Sequence, residues 1–293
     1  MDSTTYVRVQ ARGSAIPRRI AFINEKGGSG KTTLVANVAA YLALRRGRRT
    51  LAIDMDPQGQ LGKVLGLEVR APRRTSIELL VNSMLGDPKR SEALDDALTG
   101  PRDLPTIATR IPNLDLIVSN KSLALFPTWT GVDEDPTGHL LASLDRSPSL
   151  ASYDFVLFDA PPSFGPLTLN ILRACDEVVV PVPLTYLALD GCAEMMRTLE
   201  MVRRRYAHAR LRCTMVVPNF YRRTRLAQEI LEQLKARFPK EIAHVVLGFH
   251  VKVDEAQSRG LSIFEHAPRD RGAEAMAGIA EELEARARPP ASP

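Results

Sequence analysis

The sequence predicts an α/β fold in which a mostly parallel, twisted sheet carries helices on both faces. Short apolar runs alternate with segments of helical periodicity along most of the 293 residues, and this alternation is typical of a parallel sheet that is covered on both sides. Several apolar runs end in aspartates, and the first ends in glycines. Because ligands bind at the carboxyl edge of such sheets, these endings predict a binding site along that edge.

The first strand is expected at 19–24, followed by a helix at 32–46 that stops at Gly47, a typical helix end. Further strands are expected at 50–56, 114–119, 153–159, 177–182, 211–217 and 241–247. Further helices are expected at 76–85, 91–98, 138–144, 187–206, 225–238 and 273–287. Residues 19–288 are predicted to form one domain, between a flexible basic arm at 1–18 and a disordered tail at 289–293.

Composition limits the compartment and the partners of the chain. It has 39 lysines and arginines against 34 aspartates and glutamates, a net charge of +5 and a pI near 9.2, which permits contact with nucleic acid or an anionic membrane. Three scattered cysteines without metal-ligand spacing indicate a reducing compartment. No apolar run is long enough to span a bilayer, so we expect a soluble, cytoplasmic protein.

The segment 20–33 is an apolar run that leads into glycines and then into a Lys-Thr-Thr helix start. Such a loop directs several backbone N–H groups at one point, where the positive end of the helix also attracts phosphate. Lys31 matches the lysine of the phosphate-loop pattern, and the Thr32 hydroxyl matches its Mg²⁺ ligand. The expected cofactors are therefore ATP and Mg²⁺. The residues expected to bind the nucleotide are Gly27, Gly28, Ser29, Gly30, Lys31, Thr32 and Thr33.

The loop departs from that pattern at its start, where Glu25 replaces the first glycine and a second lysine, Lys26, follows. With this lysine, the segment 26–33 resembles the deviant Walker A motif of the ParA/MinD ATPases, which have a P-loop NTPase fold. The resemblance implies that Lys26 reaches across a nucleotide-sandwich homodimer to the partner's phosphates. A cation in that position would stabilise charge on the transferring phosphoryl group.

Three aspartates resemble the acidic motifs of the same family. The resemblance implies that Asp56 orients or activates the attacking water while Asp54 supports the magnesium shell, although both also fit a turn with helix-capping aspartates. Asp159 resembles the Walker B aspartate, which holds Mg²⁺ through water. The expected catalytic residues are thus Lys26, Lys31 and Asp56.

The segments 20–67 and 153–288 resemble the ParA/Soj-type partitioning branch of this family rather than its MinD branch. A membrane-binding amphipathic helix carries large apolar residues, whereas 282–293 contains a single leucine and no aromatic residue. We therefore expect no contact with a membrane. The resemblance also implies an adenine pocket at Pro218 and Asn219, but Gln257 replaces the proline that partitioning proteins usually carry there.

DNA is the other anionic surface to consider. The resemblance implies that Arg223 and Lys252 contact DNA phosphates without reading sequence, and Arg222 and Arg225 add to this patch. A solvated basic loop would explain the same arginines.

Together these features predict a weak ATP hydrolase for DNA partitioning. Its ATP-bound homodimer would bind nonspecific double-stranded DNA on the nucleoid, and a ParB-like centromere-binding protein would stimulate hydrolysis and release it. One alternative is an ATPase that positions a protein cargo or a cellular machine on the nucleoid. Another is a metabolic ATP-dependent synthetase of the same fold, which would need no basic DNA surface.

Overall fold

Seven strands form one sheet in the structure, a computed structural model that describes residues 16–67, 74–81, 103–129, 135–186 and 188–286. The strands are β1 (Arg18–Phe22), β2 (Thr50–Asp54), β3 (Ile107–Ala108), β4 (Leu114–Ile117), β5 (Phe155–Asp159), β6 (Glu177–Pro183) and β7 (Arg212–Asn219). Their order is β3-β4-β2-β5-β1-β6-β7, and all neighbours are parallel except β3 and β4. The predicted fold class is confirmed.

Helices connect these strands as the alternating pattern predicts. Those of the described residues are α1 (Lys31–Arg46), α2 (Gln60–Val64), α3 (Ile77–Val81), α4 (Phe126–Trp129), α5 (His139–Asp145), α6 (Pro166–Ala174), α7 (Ala188–Arg205), α8 (Arg225–Arg237), α9 (Val251–Ser258), α10 (Ile263–His266) and α11 (Arg271–Ala285). Within the described ranges, short 3-10 helices also lie at Lys121–Leu125 and Pro148–Ser152. The helix expected at 91–98 lies outside the described residues.

Two apolar layers cover the sheet, one on each face. Successive residues of β5 alternate between them, with Val156 and Phe158 in one layer and Phe155 and Leu157 in the other. All five residues of this strand are buried, as expected for a central strand of a parallel sheet. The sheet is therefore the buried centre of the fold, and its carboxyl edge positions the loops that follow β1, β2 and β5.

The prediction of a strand at 241–247 is wrong. The segment runs beside β7, where the Ala243 N–H donates to Val216 O at 2.8 Å and the Leu247 N–H donates to Pro218 O at 2.9 Å. The two donors are four positions apart in the chain but the two acceptors are only two positions apart, so the residues between the donors bulge away from the edge. Only isolated bridges remain, and no continuous eighth strand forms in the described part of the chain.

β1 begins one residue before its expected start, and its first two arginines are structural. Arg18 donates through Nε and Nη2 to both carboxylate oxygens of Glu177, at 2.8 and 2.7 Å, and Arg19 pairs with Asp145 at 2.7 Å. A guanidinium can be buried when a carboxylate matches its fork geometry. Arg18, which the prediction assigned to the arm, therefore belongs to the sheet. Residues 1–15 of the predicted arm, and the predicted tail at 289–293, lie outside the described residues.

Candidate nucleotide-binding site and basic surface

Three strand ends bring the predicted site residues together. β5 lies between β1 and β2, and Asp159 pairs in register with Phe22 on one side and with Asp54 on the other. Because parallel strands end at the same edge, the loop that follows β1 lies beside both aspartates. The sheet register thus unites residues that are more than a hundred positions apart in the sequence.

The glycine-rich loop leads directly into α1. Gly28 and Gly30 have φ values of 69° and 88°, a left-handed conformation that favours glycine. A Cβ atom on Gly30 would also lie closer than 3.0 Å to Asn219 Nδ2. The first N–H groups of α1 have no partner within the helix, so the loop and the helix start form a cradle for an anion. The buried Ser29 hydroxyl has no hydrogen-bond partner among the described residues.

The two lysines of the loop occupy different positions. Lys31 is buried, and its Nζ donates to Asn24 O at 2.9 Å. Burial lowers the pKa of Lys31, although the charges of Asp159 and Asp56 oppose that shift. Lys26 is exposed, and its Nζ donates to Thr185 Oγ1, at 3.0 Å, on the segment after β6. Lys31 thus belongs to the cradle, whereas Lys26 lies on its outer side.

Thr32 and Asp159, two of the residues predicted to hold the metal, contact each other. The Thr32 hydroxyl donates to Asp159 Oδ2 at 2.6 Å, and the buried Oδ1 of the same carboxylate has no hydrogen-bond partner in the described part of the molecule. Burial raises the pKa of Asp159 to about 7, against the opposing effects of the Thr32 hydrogen bond and Lys31. An oxygen pair with a free buried acceptor beside a phosphate cradle suits Mg²⁺, so these residues fit that ion.

Asp54 and Asp56 hold the turn that follows β2. Asp54 is fully buried and accepts the N–H groups of Asp56 and Leu61, each at 3.0 Å, one on each carboxylate oxygen. Burial raises the pKa of Asp54 well above its usual value. Both oxygens are engaged, which fits Asp54 as a support of the turn rather than as a direct metal ligand. Asp56 is half-buried, and its Oδ1 accepts the Gln58 N–H at 2.9 Å.

Pro218 and Asn219 end β7 beside the loop. The Asn219 side chain donates to Ser29 O at 3.0 Å and accepts the N–H of Phe220 at 2.8 Å. These bonds give Asn219 a clear part in holding the phosphate loop. Its contact with an adenine base, like that of Pro218, stays a prediction.

Two further side chains that the sequence did not single out as site residues support the loop. Asn24 accepts the Lys26 N–H at 2.8 Å and donates to Pro181 O at 2.6 Å, so it ties the loop to β6. Gln257, noted in the sequence only as a departure, donates through Nε2 to Thr33 Oγ1 at 2.9 Å. The one available signal for Asn24 is its place directly before the loop.

The predicted DNA-binding residues lie on two neighbouring segments. A bridge between Tyr221 and Gly248 joins these segments. We call the resulting patch the basic surface; its members are Arg222, Arg223, Arg225 and Lys252, and all four are exposed.

The charges of the basic surface are only partly compensated. Arg225 pairs with Glu229 at 2.8 Å and Lys252 with Glu255 at 2.7 Å. Arg222 and Arg223 have no ion-pair partner within the described residues. Their charges are therefore available to an anionic partner.

None of the helices that the structure describes is both long and apolar enough to cross a membrane.

Comparison with known protein families and relatives gives a consistent result. A family model described as an AAA domain matches residues 17–212. The chain is 40% identical to the chromosome-partitioning ATPase Soj of Thermus thermophilus over 270 residues, which covers 92% of this chain and 96% of that protein. It is 33% identical to the chromosome partitioning protein ParA of Caulobacter vibrioides, over 94% of this chain and 97% of that protein.

Solved structures share the fold. Cobyrinic acid a,c-diamide synthase from Mycobacterium smegmatis, with bound ATP analog and magnesium, matches with a TM-score of 0.71 and 27% identity, over 91% of this chain and 93% of that one. A putative plasmid partition protein from Borrelia burgdorferi, bound to AMPPNP, matches with a TM-score of 0.70 and 20% identity, over 92% and 98%; this likeness concerns the fold alone. By its sequence relatives, its family model and its phosphate loop, the chain belongs to the Soj and ParA family of chromosome-partitioning ATPases.

Proposed function

We propose that this chain is a DNA-partitioning ATPase that forms a dimer when it binds ATP, and that the dimer binds duplex DNA without sequence preference. The separation of the two loop lysines carries this proposal. Lys31 is buried in the cradle and serves the nucleotide of its own subunit. Lys26 is exposed on the outer side, where its ammonium group donates to the Thr185 hydroxyl and where a second subunit can meet it.

The residues of the cradle divide the chemistry of ATP hydrolysis among them. Thr32 and Asp159 would hold Mg²⁺, which when bound supplies charge neutralisation at the β- and γ-phosphates. Lys31 offsets phosphate charge within the subunit, and Lys26 stabilises the charge that develops on the partner's transferring phosphoryl group. Asp56, which remains partly accessible, orients or activates the attacking water.

The basic surface gives the dimer its DNA contacts. Arg222 and Arg223 carry charge that no acidic side chain of the described residues compensates, and such charge binds DNA phosphates through counterion release. Pairing two subunits doubles this surface, which raises the avidity for DNA. This cycle would take place in the cytoplasm, on the nucleoid. A ParB-like centromere-binding protein would stimulate ATP hydrolysis and so release the dimer from the DNA.

A gel shift with a nonspecific duplex, with and without ATP, tests the mechanism. Lys31→Ala is expected to lose ATP binding and ATP-dependent DNA retention together. Lys26→Ala is expected to keep ATP binding and to lose dimerisation and DNA retention. Lys240→Ala, which removes an exposed lysine after α8, is the matched control. Unchanged DNA retention by Lys26→Ala would contradict the proposal.

Two further variants separate hydrolysis from DNA binding. Asp56→Ala is expected to form the ATP-bound dimer and to remain on DNA, because the water is no longer oriented for attack. Arg223→Ala is expected to lower the salt dependence of DNA binding, with the slope of log K against log salt falling by about one. A slope equal to that of the wild type would remove Arg223 from the interface.

A metabolic synthetase of the same fold is the second candidate, favoured by the likeness to cobyrinic acid a,c-diamide synthase at 27% identity. Such an enzyme would use the ATP phosphate on a carboxylate substrate and would need no DNA. Salt-sensitive DNA binding by the purified protein, dependent on ATP, separates the two functions.

A further inference from the structure

One short helix carries residues of both proposed binding sites. α9 holds Lys252 in its first turn, on the basic surface, and Gln257 in its last turn, next to α1. These two residues are five positions apart, which corresponds to about 7.5 Å along a helix. α9 is therefore a direct physical connection between the basic surface and the phosphate loop.

The contact between α9 and α1 is made at Thr33, in the first turn after the glycines. Gln257 Nε2 donates to Thr33 Oγ1 at 2.9 Å. The carbonyl of Thr33 accepts Asn37 Nδ2 at 2.8 Å, and Asn37 Oδ1 accepts the N–H of Ile263, at the start of α10, at 2.9 Å. The segment that contains α9 and α10 is thus joined to the start of α1 at two points.

The two ends of α9 have different surroundings. After its last turn, Gly260 packs against the backbone of Gly66 so closely that a Cβ atom on either glycine would overlap the other. In its first turn, the buried Val253 packs beside Gly272 of α11, whereas Val251 is 59% exposed and the exposed Lys252 pairs with Glu255 of the same helix. A ligand at the first turn therefore meets the outer face of α9, while Gln257, at the opposite end of the same helix, contacts α1.

We propose that Gln257 is a positioning residue that couples DNA at the basic surface to nucleotide in the phosphate loop. This inference rests on the proposed function. DNA phosphates that engage Lys252 favour one orientation of α9, and the hydrogen bond from Gln257 transmits this preference to Thr33 and the first N–H groups of α1. By thermodynamic linkage, ATP must strengthen DNA binding by the same factor as DNA strengthens ATP binding.

A binding cycle with the full-length chain measures this coupling. The dissociation constant of a nonhydrolysable ATP analogue, adenylyl imidodiphosphate, is determined without DNA and with a saturating nonspecific duplex. The ratio of the two constants is the coupling factor. For Gln257→Met, which keeps the length of the side chain but removes the N–H donor, we expect this factor to fall by about 2–10-fold, the worth of one hydrogen bond. DNA affinity without nucleotide is expected to stay at the wild-type value.

Two more variants distinguish coupling from a general structural effect. In Gln257→Glu the carboxylate can accept a hydrogen bond from the Thr33 hydroxyl. This variant therefore keeps the contact between α9 and α1, with Thr33 as the donor instead of the acceptor. Its negative charge weakens nucleotide binding equally with and without DNA, and its coupling factor is expected to match that of the wild type. Gln233→Met makes the same chemical change as Gln257→Met at an exposed position of α8, and is expected to leave the factor unchanged.

The outcomes separate this inference from the proposed function. A wild-type protein that binds no DNA in the presence of the analogue overturns both. DNA binding that responds to nucleotide, with an unchanged coupling factor in Gln257→Met, overturns only the role of Gln257. A fall in Gln257→Met that Gln257→Glu restores supports it.

Discussion

The glycines of the phosphate loop provide a graded test of its geometry. Gly27 lies in open space without a positive φ, Gly28 has a φ of 69° in open space, and Gly30 combines a φ of 88° with the close approach of Asn219. Alanine at Gly27 removes freedom from the unfolded chain only, and is expected to be neutral or to stabilise by about 0.4–1 kcal/mol. Alanine at Gly28 adds left-handed strain of about 1–2 kcal/mol.

Gly30→Ala adds a steric cost to that strain. Overpacking against Asn219 contributes about 1–3 kcal/mol, so the total is about 2–5 kcal/mol. The assay is thermal unfolding without nucleotide, in which each kcal/mol lost from the free energy of unfolding lowers the midpoint of a large domain by about 2–4 °C. Gly27→Ala is expected to have the highest unfolding midpoint of the three variants, Gly28→Ala a lower one and Gly30→Ala the lowest. The midpoint of Gly30→Ala is expected to lie about 4 °C or more below that of the wild type. Equal midpoints for Gly28→Ala and Gly30→Ala would refute the argument, since they would mean that Asn219 does not press on the loop.

Three other predictions concern the core, the proposed metal site and the thiols. Glu177→Gln leaves the buried Arg18 guanidinium without its counter-charge and is expected to cost about 3–5 kcal/mol in unfolding experiments, whereas Glu200→Gln, in an exposed pair with arginines on α7, should leave the midpoint nearly unchanged. Thr32→Val removes the hydroxyl beside Asp159, and the Mg²⁺ concentration that gives half-maximal ATP hydrolysis is expected to rise by about 10–100-fold. Thr32→Ser is the control, because serine keeps the hydroxyl. Burial raises the pKa of Cys192 to about 12 and raises the pKa values of the other two cysteines, so the thiolate fraction at pH 8 is about 10⁻⁴ or less. A thiol reagent should therefore modify the folded protein slowly and should modify all three cysteines rapidly in denaturant. Fast reaction of the folded protein would contradict this prediction, since it would show that the thiols are accessible.

The elements that the sequence predicted well are those with a strong local pattern. The helix expected at 32–46 and the strand expected at 153–159 agree with α1 and β5 to within a few residues, because helical periodicity, a glycine stop and a continuous apolar run are properties of neighbouring residues. α9 was missed because Val251 and Val253 alternate as in a strand. The strand expected at 241–247 is wrong for a different reason. Its apolar residues lie beside the edge strand β7, but they contact it only at isolated points because the residues between those points bulge outward.

The sequence by itself determined the chemistry of the phosphate loop, because a strand, a glycine-rich turn and a helix start are consecutive in the chain and their spacing is enough to predict a phosphate cradle. It also distinguished Lys26 as the residue that sets this loop apart. The tertiary structure decided what surrounds that loop. The sheet register brings Asp159 to Thr32, and side-chain packing joins Gln257 to Thr33 across 224 positions. Contacts of this kind depend on how distant segments pack, which no local periodicity encodes.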